Sequence, residues 1–202
     1  MWNLTPRLEG EIVTLEPLAP EHYEGLLAAS RPSETWAWWS ADMSTEEAFR
    51  AWFDEALRAR DEGSRSQLAT LDSASGTPLG ATSFMSLHPE HAGLEIGWTW
   101  LTPAAWHTGA NPEAKLLMLR HAFTQLHCQR VEFRTHERNE RSRRALEALP
   151  AQFEGIGRDD RILFDGSRRS SAVYSIIDSE WPTVEANLTR RVAAAAAADS
   201  SS

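Results

Sequence analysis

The 202-residue chain has a single cysteine, Cys128, so it can build neither a disulfide framework nor a cysteine-based metal site, and a reducing interior suits it. It has no run approaching the roughly 20 apolar residues that span a membrane, and its opening, Met1-Trp-Asn-Leu-Thr-Pro-Arg7, lacks the apolar core of a signal peptide. These absences lead to the expectation of a cytoplasmic protein. Positive charge is scarce as well: a formal charge of -9 and a pI near 5.3 argue against a nucleic-acid or anionic-membrane partner. Acidity fits a cationic acceptor such as an amine, and it also simply favours solubility. Neither a Walker A motif nor a G-x-G-x-x-G pattern is present, and there is no internal repeat or linker.

What is abundant is tryptophan. Nine occur, with Trp36, Trp38 and Trp39 inside four positions, and rings so clustered want a core or a groove. Hydrophobic residues at 42% and charged residues at 24% are ordinary globular proportions, and the length suits one domain.

Residues 11–16 alternate as a strand, and Pro20 opens a short helix reaching about Ser30. Ser44-Thr-Glu-Glu47 reads as a capping box for a helix with Ala48, Trp52, Phe53, Ala56 and Leu57 at helical spacing, ended by Gly63. Strands at about 66–72, 77–87 and 94–101 then form an antiparallel meander. A helix from Asn111 to about Leu126 carries the stripe Leu116, Leu117, Leu119, Ala122, Phe123 and Leu126. A strand at 130–135, a helix at 139–149 stopped by Pro150, and a hairpin of 152–164 with 171–178 around Asp165-Gly166 complete the pattern. Strand, helix, strand, helix, strand implies parallel neighbours joined by crossovers, hence a mixed sheet with helices on both faces.

The most telling stretch is Leu94-Glu-Ile-Gly-Trp-Thr-Trp-Leu101 followed by Thr108-Gly-Ala-Asn-Pro-Glu-Ala-Lys115: a strand, a tight loop and a helix opening. Asn111 is expected to cap, Pro112 to take the first helical position, and Glu113 to complement the helix dipole. Gly109 would let the backbone approach a ligand, with the free amides of residues 108–112 aimed at a phosphate. An ordinary capped helix explains the same residues.

The order of elements and motifs resembles the Gcn5-related N-acetyltransferases, in the branch of the ribosomal-protein alanine and serine N-terminal acetyltransferases. The likeness spans residues 7 to about 182. It rests on Leu8-Glu-Gly-Glu-Ile-Val-Thr-Leu-Glu-Pro-Leu18, Leu94-Glu-Ile-Gly-Trp98, the Thr108–Lys115 turn, Asn139-Glu-Arg-Ser-Arg-Arg-Ala145, and Asp165-Gly-Ser-Arg168 leading to Val173-Tyr-Ser-Ile176. It implies an α/β (α+β) fold with a mixed, mostly antiparallel sheet of about seven strands, splayed between the fourth and fifth, with helices on both faces. Residues 1–182 would be one acetyltransferase domain, and 183–202 a helical extension with a low-complexity, alanine-rich tail.

The resemblance further implies acetyl-CoA as cosubstrate, with no metal. The edge at Thr99, Trp100 and Leu101 would pair with pantetheine, and Trp106, His107, Thr108, Gly109, Ala110 and Asn111 would hold the pyrophosphate. Asn139 would contact pantetheine. Trp106 stands where the family pattern has Gln or Arg, Asn111 where it has Gly or Ala, and Pro150 where relatives commonly have Gly.

Acyl transfer to an amine needs a base for the amine proton, a donor for the carbonyl and an acid for the departing thiolate. Glu95, a carboxylate in mid-strand beside Gly97 and Thr99, is the candidate base; a solvent-facing sheet position is the alternative. Glu132 and Glu137 are weaker candidates. Ser142 stands where the resemblance implies the thiolate acid. One of Arg141, Arg143 and Arg144 is a candidate for the adenosine 3'-phosphate. Trp36, Trp38 and Trp39 would wall the acceptor site. Cys128 has no catalytic partners beyond His127, and His88, Glu90 and His91 lack a further metal ligand.

The expected function is acetyl transfer to a primary amine, either a protein N-terminus or a small molecule, in a ternary complex. A CoA-binding sensor without turnover is the competing class, and a homodimer through the last strands and Trp181 is compatible with the sequence.

Overall fold

The computed structural model describes residues 2–39, 42–163 and 166–199. Its strands are β1 (Leu8–Glu9), β2 (Val13–Pro17), β3 (Ser66–Asp72), β4 (Pro78–His88), β5 (Gly93–Leu101), β6 (Arg130–His136), β7 (Gln152–Ile162) and β8 (Arg168–Ile177). The helices are α1 (Tyr23–Ser30), α2 (Glu46–Asp61), α3 (Ala110–Arg120), α4 (Glu140–Glu147) and α5 (Trp181–Asp199). All strands join one sheet in the order β1-β2-β3-β4-β5-β6-β8-β7. The sheet therefore has eight strands rather than seven: the two-residue β1 adds an edge too short to show a period, and shifts the fourth expected strand to β5.

Every pairing is antiparallel except β5 with β6. A second parallel neighbour does not form, because β8 inserts between β6 and β7. The β5–β6 pairing runs only from Gly93–Arg130 to Glu95–Glu132. Beyond it the strands part, leaving the β6-facing side of residues 96–101 without a strand. This is the expected splay.

Each face of the sheet has its own core. Val13, Leu15, Leu94, Ile96, Val131 and Phe133 pack with α3 and with Trp181, Val184, Leu188 and Val192 of α5. Leu18, Ala69, Ala81 and Trp100 pack with α1, α2 and Trp36 on the other face. The C-terminal extension is thus a helix seated on the same core as α3. Trp181, expected to offer edge surface to a dimer, instead stacks on Phe123 at 5.3 Å and is buried. No helix among the described residues is long and apolar enough to cross a membrane.

Helix ends depart from expectation in instructive ways. In α2 the cap is Thr45, whose hydroxyl accepts from the Ala48 amide at 3.3 Å, one residue later than Ser44. Helix α3 starts with Gly109 as cap, so Asn111 and Pro112 lie inside the first turn. It ends at Arg120 and passes into a π turn at His121–Gln125 rather than running on to Leu126. Glu113 does not face solvent. Its carboxylate is buried and accepts the amides of Glu11, Ile12 and Val13 at 2.9, 2.7 and 2.6 Å, tying α3 to the start of β2. Three amide donors on one carboxylate settle the otherwise unpaired backbone there. In the β7–β8 connection Asp165 lies outside the described residues, while Gly166 has a positive φ of 80°.

Candidate active site

The site is organised by an irregularity in β5. Ala81 pairs with Trp100 and Ser83 with Gly97, so Thr82 alone faces both Trp98 and Thr99. One extra residue on β5 makes a β-bulge, and Trp98 takes a φ of 47°, a left-handed conformation uncommon for a bulky residue. Strain of this kind clusters at functional sites. The bulge also changes which way side chains point. Leu94, Ile96 and Leu101 join the α3-side core and Trp98 and Trp100 the α1–α2 side, while Thr99 bonds Lys115 of α3. Thr99 therefore does not share the face of Glu95 and Gly97, contrary to simple alternation.

Glu95 is 5% exposed. Its carboxylate accepts the Ser86 hydroxyl at 3.0 Å, and burial raises its pKa, partly offset by Ser86 and by the nearby guanidiniums of Arg134 and Arg161. Gly97 leaves room for it: a Cβ there would stand 3.0 Å from Glu95 Oε1 and 2.7 Å from Met85 Sδ. Glu95 borders a cavity of about 430 Å³ with Ser86, His88, His91, Arg130, Glu132, Arg134, Asp160 and Arg161 among its lining residues. Ser86, Arg134 and Arg161 carry no sequence signal, since the splay and the hairpin bring them in from three strands.

The tryptophan cluster divides. Trp36 is core, 4% exposed, with its indole donating to Ser30 O at 2.8 Å, so it offers no wall to a ligand. Trp39 is half-buried, edge-on to Trp98 at 5.7 Å. Trp38, 38% exposed, reaches across to His136 at the end of β6, ring centroids 5.1 Å apart, bridging the two halves of the splayed sheet.

In the loop before α3, the Trp106 indole donates to Leu101 O at 2.9 Å, and Thr108 accepts from the Ala110 amide at 3.2 Å while donating to Ala105 O at 2.8 Å. The amides of Gly109 and Asn111 have no protein acceptor among the described residues. His107 is exposed with a φ of 63°. Gly109 is small for a different reason than ligand approach. A Cβ there would lie 2.2 Å from Ile12 Cδ1 and 2.9 Å from Ala195 Cβ, so the glycine lets β2 and α5 close over the start of α3. Gly109→Ala is expected to lower stability by about 1–2 kcal/mol through overpacking, read as a lower urea midpoint. An unchanged midpoint would mean that Ile12 and Ala195 yield freely.

Helix α4 completes the loop's surroundings. Asn139 is its cap, Oδ1 accepting the Ser142 amide at 3.1 Å, which commits that oxygen and leaves the amide NH₂ for any ligand. The half-buried Ser142 hydroxyl has no protein partner among the described residues. Of the three arginines there, Arg143 is held by the Tyr174 hydroxyl and Glu137 O, and Arg144 by Glu140. Arg141 has no carboxylate; its guanidinium lies over the Trp106 ring at 3.5 Å. Trp106 thus seats a cation beside the loop, although it cannot hydrogen-bond as Gln or Arg would.

Sequence reading also passes over a buried lysine. Lys115, the chain's single lysine, is 4% exposed and points from α3 to the bulge, donating to Thr99 Oγ1 at 2.7 Å and Thr82 Oγ1 at 3.3 Å. Burial lowers its pKa to about 7. A lone lysine inside an apolar helix stripe is the signal that points to it. Burial likewise raises the Cys128 thiol to about 11, which leaves it inert as a nucleophile at neutral pH. No group of three metal-ligating side chains occurs among the described residues.

The strand that carries the buried Glu95 carboxylate runs through the bulge into the loop with free amides, and Arg141 lies over Trp106 of that loop. Known proteins share this frame. The GNAT acetyltransferase domain matches residues 13–152. A protein of T. thermophilus assigned as an acetyltransferase is 44% identical, the match covering 95% of this chain and 99% of the other at a TM-score of 0.85. A GCN5-related N-acetyltransferase from Brucella melitensis is 31% identical over 94% and 90% of the two chains, with a TM-score of 0.85. RimJ of Mycobacterium smegmatis, solved with CoA-disulfide, shares the fold at 18% identity and a TM-score of 0.75 over 91% of each chain. No curated protein matches the sequence. With sheet and sequence in agreement, the chain belongs to the GNAT family of acetyltransferases.

Proposed function

We propose that the protein moves the acetyl group of acetyl-CoA to a primary amine by direct attack within a ternary complex. The observation that carries this reading is Glu95, a buried carboxylate three residues before the bulge on the strand whose far side is open. The amine nitrogen bonds the acetyl carbon, the carbon–sulfur bond breaks, Glu95 takes the amine proton directly or through water, and the Ser142 hydroxyl supplies a proton to the thiolate. The residues present fit the cosubstrate. The open edge at Thr99–Leu101 offers backbone groups to pantetheine, and Asn139 offers its amide NH₂. Residues 106–111 receive the pyrophosphate on the amides of Gly109 and Asn111. Trp38 and Trp39, rather than Trp36, wall the acceptor side.

Arg141 is the phosphate-binding cation in this reading. Arg141→Met is expected to raise the KM for acetyl-CoA about 10-fold, the scale of one charge-assisted hydrogen bond, with kcat little changed. Initial rates at varied acetyl-CoA decide this, and an unchanged KM would remove Arg141 from the site. The reading as a whole is tested by thermal unfolding with and without acetyl-CoA. Ligand at about 100 times its dissociation constant should add roughly 2.7 kcal/mol to stability. No shift at millimolar ligand would count against the reading. A shift without turnover on any amine would point to a sensor instead.

A further inference from the structure

The β7–β8 hairpin carries two arginines that form no ion pair with a carboxylate among the described residues. Arg161 and Arg169 are register partners, and residues directly opposite on antiparallel strands share a face, so two cations stand side by side. Like charges in that arrangement repel. Neither forms an ion pair or hydrogen bond with a described residue, and Arg169 Nε is buried without an acceptor. Burial disfavours the Arg169 cation, while Asp160 and Glu95 lie close enough to favour it. Asp160 does not neutralise the pair: its Oδ2 is 3.4 Å from Arg134, and its Oδ1 is buried without a donor.

The rest of the cavity is balanced. Arg130 is bound by Glu154 and Glu132, and Arg134 by Glu132 and Asp160. Besides Asp160 Oδ1, two groups bordering the cavity form no ion pair among the described residues. They are the Glu95 carboxylate deep inside, bonded only by the Ser86 hydroxyl, and the exposed Arg161 guanidinium, which attracts Glu95 without contacting it and has Arg169 behind it. An occupant that meets both presents a positive group inward and a negative group outward. The volume of about 430 Å³ lies at the small end of ligand pockets, room for a compact molecule.

We propose that the acceptor is an amine that also carries a free carboxylate, an amino-acid-type zwitterion, with its nitrogen at Glu95 and its carboxylate on Arg161 and Arg169. This rests on the transferase reading above. The nitrogen forms the bond to the acetyl carbon as the carbon–sulfur bond of acetyl-CoA breaks. The ammonium gives one proton to Glu95 to become the attacking amine, and its second proton passes by way of Ser142 or water to the departing thiolate. The products are free CoA and an N-acetyl amino acid that keeps its carboxylate. The arginines act on binding and orientation, so they set specificity and take no part in the bond changes.

The test compares the common amino acids with their amides as acceptors, using wild type, the exposed single variant Arg161→Met and the double variant Arg161→Met/Arg169→Met. For the amino acid used best, wild type is expected to favour the free acid over its amide by at least about 10-fold in kcat/KM, the scale of a charge-assisted bond. Arg161→Met should bring that ratio close to one through the acceptor KM, leaving the KM for acetyl-CoA as in wild type. Equal use of acid and amide by wild type would overturn the proposal while the transferase reading stands. A rise in the acetyl-CoA KM instead would reassign the arginines to coenzyme phosphate and overturn it as well. Transfer to no amine at all would overturn both readings.

Discussion

Glu95→Gln is expected to lower the transfer rate by about 10²–10⁴-fold, the usual contribution of a positioned base. Gln keeps the size of Glu and can still accept the Ser86 hydroxyl at the same place, so packing is preserved and only the proton acceptor is lost. The pH profile carries the sharper signature. Burial raises the Glu95 pKa above the ordinary carboxylate range, with Arg134 and Arg161 limiting the rise. The wild-type rate should climb as pH passes through that raised pKa, because the carboxylate must be ionised to take a proton. In the Gln variant this limb should vanish, while the stabilisation by acetyl-CoA persists. Retention of rate within about 3-fold would move the base elsewhere. Glu132, the register partner of Glu95 on β6, would be next in line.

Lys115→Met is expected to stabilise the protein at neutral pH and below. Lys115 is buried with two hydroxyl partners and no counter-ion among the described residues, and its pKa falls from 10.5 to about 7. Between those values the unfolded chain holds a proton that the folded chain does not, so stability rises with pH across that window. Below about pH 7 the full cost of the buried amine is present, and above pH 10.5 it is gone. Met fills similar volume, and Thr82 and Thr99, 2.8 Å apart, remain bonded to each other. The expected gain is about 2 kcal/mol at pH 6, within the range for replacing buried charge by packed hydrocarbon, and about 4–8 °C in Tm. The gain should shrink towards zero near pH 10.5. Equal stabilisation at every pH would show that the amine carries no desolvation cost. Because Lys115 braces the bulge, kcat should fall in the same variant even as Tm rises, and the two readouts separate bracing from stability.

Much of the frame is legible in the sequence because it rests on local patterns. β3 occupies Ser66–Asp72, ending at the Ser73-Ala-Ser-Gly76 turn signal as the sequence implies, and the α2 stripe of Trp52, Phe53 and Ala56 is core. The turn before α3 and the place of Glu95 also read directly. What escapes is fixed by tertiary contact. The bulge at Trp98–Thr99 inverts strand alternation directly after Gly97, the kind of strand-interior glycine that marks a bulge, so alternation alone puts Thr99 on the wrong face. Gly109 reads as a ligand glycine, yet the space of its missing Cβ is filled by Ile12 and Ala195, residues nearly the whole chain apart. Glu113 reads as a dipole partner and proves to be the acceptor for β2's amides. Trp36 and Trp38 are two residues apart, but one turn sends the first into the core and the second across the cleft to His136. The pairing of Arg161 with Arg169 depends on hairpin register, which composition does not reveal.

Amine-dependent release of free thiol from acetyl-CoA, followed across a panel of amino acids, amino-acid amides and short peptides with the acetylated product identified by mass, bears most directly on acetyl transfer. The expected result is thiol release that requires an amine, yields the N-acetyl product in equal amount, and collapses in Glu95→Gln. Stable binding of acetyl-CoA with no thiol released above the uncatalysed rate for any amine would contradict transfer and leave a coenzyme-binding protein on an acetyltransferase frame.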